Sequence, residues 1–183
     1  MAPESSTTSP SYVLPLTRAH LRYLNILPIR ASTGDTQELR RVIVEPSALH
    51  GLRRALELPV PRTGVPFGIR QGEQLRIRYV ATGGASTVPF TLTPHYLLGL
   101  ADAYQQVNPA LDWVGHWITL PDDTLFRQVE TLGWCVQARH QALISTEHPL
   151  LAVGWVEGQF HLRAIVMGDL DGTWHELEVS GSV

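Results

Sequence analysis

The chain has 183 residues, 44% of them hydrophobic and 17% charged, with a net charge of -3, and a chain of this length buries roughly 70% of its unfolded surface, enough for one core without disulfides or a metal. A single cysteine, Cys135, excludes an intrachain disulfide, and mild acidity with no arginine cluster excludes nucleic acid as the main partner. No apolar run approaches the ~20 residues of a membrane span, and the start Met-Ala-Pro-Glu-Ser-Ser is not a basic and then apolar leader, so no membrane partner and a cytoplasmic location are expected.

Residues 1–11 are mostly Ser, Thr and Pro, too polar to offset the entropy of ordering, and predict a disordered tail. Residues 12–41 read as an N-terminal extension, where Val13, Leu16, Leu21, Leu24, Ile26 and Leu27 carry an apolar pattern and Thr17 caps a short helix over Arg18–Leu24. The main domain is 42–183. Arg41–Glu45 is β-branched and predicts a strand, after which Pro46-Ser47 starts a helix with Leu49, Leu52 and Leu56 on one face, stopped by Pro59 and Pro61. Val65–Arg70 and Leu75–Ala81 flank Gln71-Gly72-Glu73 as a hairpin, with Leu75, Ile77 and Tyr79 alternating with Arg76 and Arg78 so that one face is solvated.

Gly83–Val88 predicts a loop, and Thr93-Pro94 opens a helix whose Tyr96, Leu97, Leu100 and Tyr104 fit the helical period and which ends before Asn108-Pro109. Asp112–Thr119 is a strand dense in Trp, Val and Ile, and Pro121-Asp122-Asp123 caps a further helix with Leu125, Phe126, Val129 and Leu132 inward. Three strands follow, Gln141–Thr146, Leu150–Glu157 and Phe160–Met167, with Glu157-Gly158-Gln159 as the turn between the last two, then a turn at Asp169–Gly172 before Trp174–Val179. This order predicts a mixed sheet packed by helices, in the α/β or α+β class.

The chemistry-bearing residues are sparse. Of eight histidines, His116, His140, His148, His161 and His175 are scattered, and none pairs at the spacing of two ligands on one helix face. Cys135 beside Trp134 and Val136 reads as a small buried hydrophobe, and a Cys–His dyad needs His140 or another His within reach. Thr82-Gly83-Gly84-Ala85-Ser86 lacks the Gly-Lys of a phosphate loop, and Asp122-Asp123 reads as a helix cap.

Two longer stretches carry a resemblance. Val88-Pro89-Phe90-Thr91-Leu92-Thr93-Pro94-His95-Tyr96-Leu97-Leu98, and then Leu111-Asp112-Trp113-Val114-Gly115-His116-Trp117-Ile118-Thr119-Leu120-Pro121, resemble the middle of the JAB/MPN (JAMM, Mov34-like) zinc isopeptidases, whose helix leads into a strand ending Val-Gly-x-Trp-His-Thr-His-Pro. Val42–Glu45 with the following helix, Gly64–Arg70, and Pro149–Gly158 with Phe160–Val166 resemble the family's flanking elements, so the similarity covers about residues 42–167. It implies an α/β fold, an MPN-like mixed β-sheet flanked by helices with cytidine-deaminase-like layering.

Active members need two His at that strand end, a nearby Asp and an upstream Glu serving the zinc-bound water. The resemblance places the His positions on Ile118 and Leu120, the Ser and Asp positions near Gln128 and Thr131, and the Glu position near Pro61 or Arg62. Aliphatic side chains cannot donate a lone pair to zinc, so the resemblance implies a degenerate site with no catalytic residue, no metal and no cofactor. It implies a pseudoenzyme acting by protein contact, as scaffold or partner in a bacterial ubiquitin-like modification or peptidase system. The partner would be an active JAB peptidase, a ubiquitin-like protein or its conjugating enzyme, or a second copy, with Trp117, Pro121 and Phe126 as contact residues. Two alternatives stay open: a hydrolase or peptidase with a relocated site at Cys135 or an unusual His set, and a phage or mobile-element structural protein.

All fourteen basic residues are Arg. The absence of Lys reads either as codon bias or as the removal of acceptor amines from a protein that works beside modifier chemistry.

Overall fold

A computed structural model describes residues 38–58, 60–83, 88–120, 127–141, 143–168 and 173–181. The predicted tail, the Arg18–Leu24 helix and most of the 12–41 extension lie outside them, as do Pro121, Asp122, Asp123, Leu125 and Phe126.

The strands are β1 (Arg41–Val44), β2 (Thr63–Gln71), β3 (Gln74–Thr82), β4 (Asp112–Trp113), β5 (His116–Leu120), β6 (Leu150–Val156), β7 (Gln159–Met167) and β8 (Trp174–Gly181). The helices are α1 (Pro46–Leu56), α2 (Pro94–Val107) and α3 (Gln128–His140). Both tight hairpins follow local chemistry. Gly72 takes φ 59° at the first turn position between β2 and β3, and Glu157-Gly158, at φ 50° and 78°, form the type I′ turn between β6 and β7.

The order β3-β1-β8-β7-β6-β5-β2 returns to its start because β2 also pairs with β3, so seven strands close into a barrel. β1 pairs in parallel with β3 and β8, β5 pairs in parallel with β6, and the remaining contacts are antiparallel. β4 extends the β5 side, pairing Trp113 with Phe67 of β2. The expected open sheet flanked by helices is therefore corrected to a closed mixed barrel. Closure pairs both edges of β2 and removes the exposed edges of an open sheet.

The barrel interior is one apolar cluster. Val42 and Val44, Leu75 and Ile77, Trp117, Leu151 and Val153, Ala164 and Val166, and Leu177 meet Ala48, Leu49 and Leu52 of α1. Pro46 at the first turn, and Ala48, Leu49, Leu52 and Leu56 at helical spacing, give α1 its start and buried stripe. Trp117 donates its indole N–H to the Ala81 carbonyl at 3.0 Å and lies over Gly64, where an added Cβ would come within 2.6 Å of the indole. Two further clusters sit outside, one under α2 with Val65, Phe67 and Trp113, the other under α3 with Ile118, Leu120, Leu150, Ala152 and Ile165.

The β2–β3 register departs from simple alternation. Phe67 pairs with Tyr79 and Gly68 with Ile77, which leaves Arg78 as an extra residue. Such a bulge reverses the side-chain faces beyond it. Tyr79 therefore leaves the face of Leu75 and Ile77 and stacks on Tyr104 of α2 at 4.8 Å, while Val80 packs against the interior cluster. The bulged Arg78 accepts a hydrogen bond from Ser47 Oγ on its carbonyl at 2.6 Å and points its guanidinium at Glu45, 3.3 Å away. The bulge thus anchors the start of α1.

Two more elements differ from expectation. The helix placed after Pro121 runs over Gln128–His140, and the described residues of the predicted Gln141–Thr146 strand form no strand. A turn closes there instead, with Ser145 N–H bonded to the His148 carbonyl and Ser145 Oγ accepting from Glu147 N–H. Among the described residues no helix is long and apolar enough to cross a membrane.

Candidate functional site

β5 sends successive side chains to opposite faces. Trp117 points into the barrel, whereas Ile118 and Leu120 point outward under α3. Antiparallel pairing of Thr63 with Ile118 sets Arg62 opposite Thr119: the Arg62 N–H donates to Thr119 Oγ1 and the Thr119 N–H to the Arg62 carbonyl, both at 2.7 Å. On α3, Cys135 and Ala138 cover Ile118 and Leu120, and Thr131, one turn earlier, is also buried. Ile118 and Leu120 are thus covered by α3, while the Arg62 backbone is held beside Thr119 of β5. Among the described residues, Ile118 and Leu120 lie in a packed apolar layer.

Trp117, expected as an exposed contact residue, is 1% exposed inside the barrel and cannot meet a partner. Its burial follows from the inward phase of β5, which the short strand alone does not reveal. Pro121 and Phe126 lie outside the described residues.

Two reactive side chains are buried in this region. Burial pushes the Cys135 thiol up to about 12, with the Arg163 cation pulling weakly the other way, so the thiol stays protonated and is not a nucleophile. His140 is exposed at the end of the same helix and makes no dyad with the buried thiol. Burial pushes the His116 imidazole down to about 3, against a smaller upward pull from the Gly115 carbonyl. That carbonyl accepts the Trp113 indole N–H at 2.7 Å, and neither ring nitrogen of His116 has a hydrogen-bond partner among the described residues. His161 lies exposed on β7, and His175 on β8 faces Glu38 at 3.8 Å. Among the described residues no three His, Cys, Asp or Glu side chains come together in a way that could hold a metal ion.

The residue that sequence reasoning missed is Phe90. It follows Pro89 in a turn closed by Thr91 N–H to the Val88 carbonyl, at 3.2 Å, and it carries φ 61°, a position that ordinarily takes glycine. Its N–H donates to Thr63 Oγ1 at 2.9 Å, and its ring, 2% exposed, lies 5.7 Å from the His116 ring and 6.0 Å from Trp134 in an edge-on contact. Nothing in the Val-Pro-Phe-Thr run signals this, because the turn position is paid for by a tertiary pocket.

No family model matches the chain, and no curated protein matches it. Among solved structures, the chain is similar to protein DSY2949 from Desulfitobacterium hafniense, a structural-genomics target solved in solution, with a TM-score of 0.56 and 14% identity over 77% of this chain and 92% of that one. At that identity the likeness concerns the fold alone.

Proposed function

We propose that this chain is a non-catalytic protein that works by contact with a protein partner in a system of isopeptide or peptide-bond chemistry. The observation that carries the reading is the burial of Ile118 and Leu120 beneath Cys135 and Ala138 of α3. The positions that the isopeptidase resemblance assigns to zinc ligands hold hydrocarbon in a close-packed layer, and the nearby thiol and imidazole are held in unreactive forms.

A contact surface is offered by α2. Tyr96 and Val107 are exposed on it, at 46% and 77%, with His95, Gly99, Ala103 and Gln106 also exposed and the half-buried Asp102 at their border. Exposed apolar residues on a helix face of low charge suit a protein partner.

The arginine-only composition fits the same reading. Arg163 makes a two-point contact with Glu176, at 3.0 and 2.9 Å, and Arg53 lies over the Phe160 ring at 5.1 Å. Arg40 faces Glu73 at 3.8 Å and Arg127 faces Glu130 at 2.9 Å, both on the surface. Removal of acceptor amines accounts for Arg at such sites.

The test is metal analysis and peptidase assay of the purified protein, with capture of partners by the tagged wild type and by a Tyr96→Asp, Val107→Asp variant. Partner capture lost in the variant, with no bound zinc, is the expected result. One equivalent of zinc together with chelator-sensitive cleavage of an isopeptide bond overturns the reading. An Arg127→Lys variant in host extract is expected to acquire a modifier on the new amine.

A further inference from the structure

The cage around His116 combines two features that ordinary core packing avoids. One is backbone strain: a β-turn position with φ near +60° ordinarily takes Gly, and a bulky residue there is held against its conformational preference. Phe90 occupies that position at φ 61°. The other is an unsatisfied polar group: His116 is fully buried between Phe90, at 5.7 Å, and Trp113, at 6.3 Å, with no hydrogen-bond partner for either ring nitrogen among the described residues. A neutral imidazole offers one donor and one acceptor, and burial without partners is costly.

The Phe90 ring meets aromatic neighbours well, with Trp134 edge-on at 6.0 Å, but it has no polar atom for the imidazole it covers. The same six-membered ring bearing one hydroxyl would keep the aromatic contacts and bring both a donor and an acceptor to His116. Thr63 Oγ1 accepts the Phe90 N–H at 2.9 Å, and the Gly83 carbonyl accepts the Thr93 N–H at 2.9 Å.

We propose that Phe90 is the chain's own occupant of an aromatic slot floored by His116, and that a small neutral phenol binds there by displacing it. Release of Phe90 relaxes the backbone at the turn, and the phenol hydroxyl satisfies an imidazole that Phe90 leaves unpaired. Neutrality follows from the site, since an anion or a cation would enter an apolar enclosure against an uncharged imidazole. This small-molecule site is independent of the α2 surface and of any partner seated there.

The experiment uses 4-methylphenol and toluene, which differ by the hydroxyl alone. In the full-length wild type, 4-methylphenol is expected to shift the amide resonances of Val88, Phe90, Thr91 and His116, while toluene at the same concentration leaves them in place. A Phe90→Ala variant is expected to bind 4-methylphenol at least tenfold more tightly than toluene, and addition of His116→Phe is expected to abolish that preference. Equal affinity for the two compounds in Phe90→Ala, or wild-type Val88–Thr91 resonances unmoved by 4-methylphenol, overturns the proposal. Should Phe90→Ala fail to fold, the wild-type titration decides alone.

Discussion

Trp117 and His116 are neighbours on one strand and equally buried, yet they lie in regions of different quality. Trp117 faces the barrel interior, where its indole N–H has the Ala81 carbonyl and its rings have the space left by Gly64. His116 faces outward into an enclosure formed by a strained turn, with both nitrogens unpartnered among the described residues. The interior is apolar packing from six strands and a helix, each position supported by several elements. The outer region packs the Phe90 turn and α3 against β5, β6 and β7, and it holds the strained Phe90 together with two strongly perturbed titratable groups, His116 and Cys135. Sites that depart from good packing on one side of a well-packed scaffold are where binding is to be sought.

Substitutions on the two sides sharpen this contrast. Trp117→Ala is expected to lower stability by about 4 kcal/mol in urea unfolding, because a large cavity opens in a closed interior. His116→Phe, an equally drastic change of chemistry next door, is expected to be neutral or stabilising at pH 7, since it removes an unpaired polar group. Similar losses from both would break the comparison.

Acid reads the same difference. The unfolded chain takes up a proton on His116 near pH 6.5, whereas the folded imidazole holds out to about 3, so stability present above pH 6.5 is lost as the pH falls through that window. The loss from this residue amounts to about 2 kcal/mol by pH 5. Urea midpoints measured from pH 7 to 5 should therefore fall more steeply in wild type than in His116→Phe; superimposed profiles would show that the imidazole is not sealed off.

Smaller effects are expected at the margins of the outer region. Thr63→Val leaves the Phe90 N–H without its acceptor and should cost about 1–2 kcal/mol, with faster hydrogen exchange at Phe90 and Thr91 as the local signature. Arg163→Lys loses the two-point contact with Glu176 at the surface and should change stability by less than about 1 kcal/mol. A larger loss in thermal unfolding would mean that this pair supports the α3 side of the barrel.

Much of the local structure was legible in the sequence. Pro46, with Leu49, Leu52 and Leu56 at helical spacing, marked α1, and Gly72 and Glu157-Gly158 marked the two tight hairpins. The face assignment of Tyr79 was not legible, because one bulged residue, Arg78, reverses the alternation and nothing local to Arg76-Ile77-Arg78-Tyr79 announces it. The predicted Gln141–Thr146 strand failed for a related reason: its apolar residues Leu143 and Ile144 serve the α3 layer from a loop, and burial there needs no strand. Of the site, the loss of ligand chemistry at Ile118 and Leu120 could be read from residue type, whereas the strain at Phe90 and the isolation of His116 depend on groups that are distant in sequence.

The sequence by itself determined most of the chain's elements and its chemical inventory: one cysteine, no lysine, a mixed set of strands and helices, and aliphatic residues at the end of β5. Only the tertiary structure decided that the strands close. Closure requires β2 to pair with β3 on one side and with β4 and β5 on the other, and those registers depend on contacts between segments tens of residues apart. Period-two alternation is the same in an open sheet and a barrel, so local pattern carries no information about it. The same closure turns Trp117 inward and His116 outward, and so separates a structural residue from a candidate ligand-binding one.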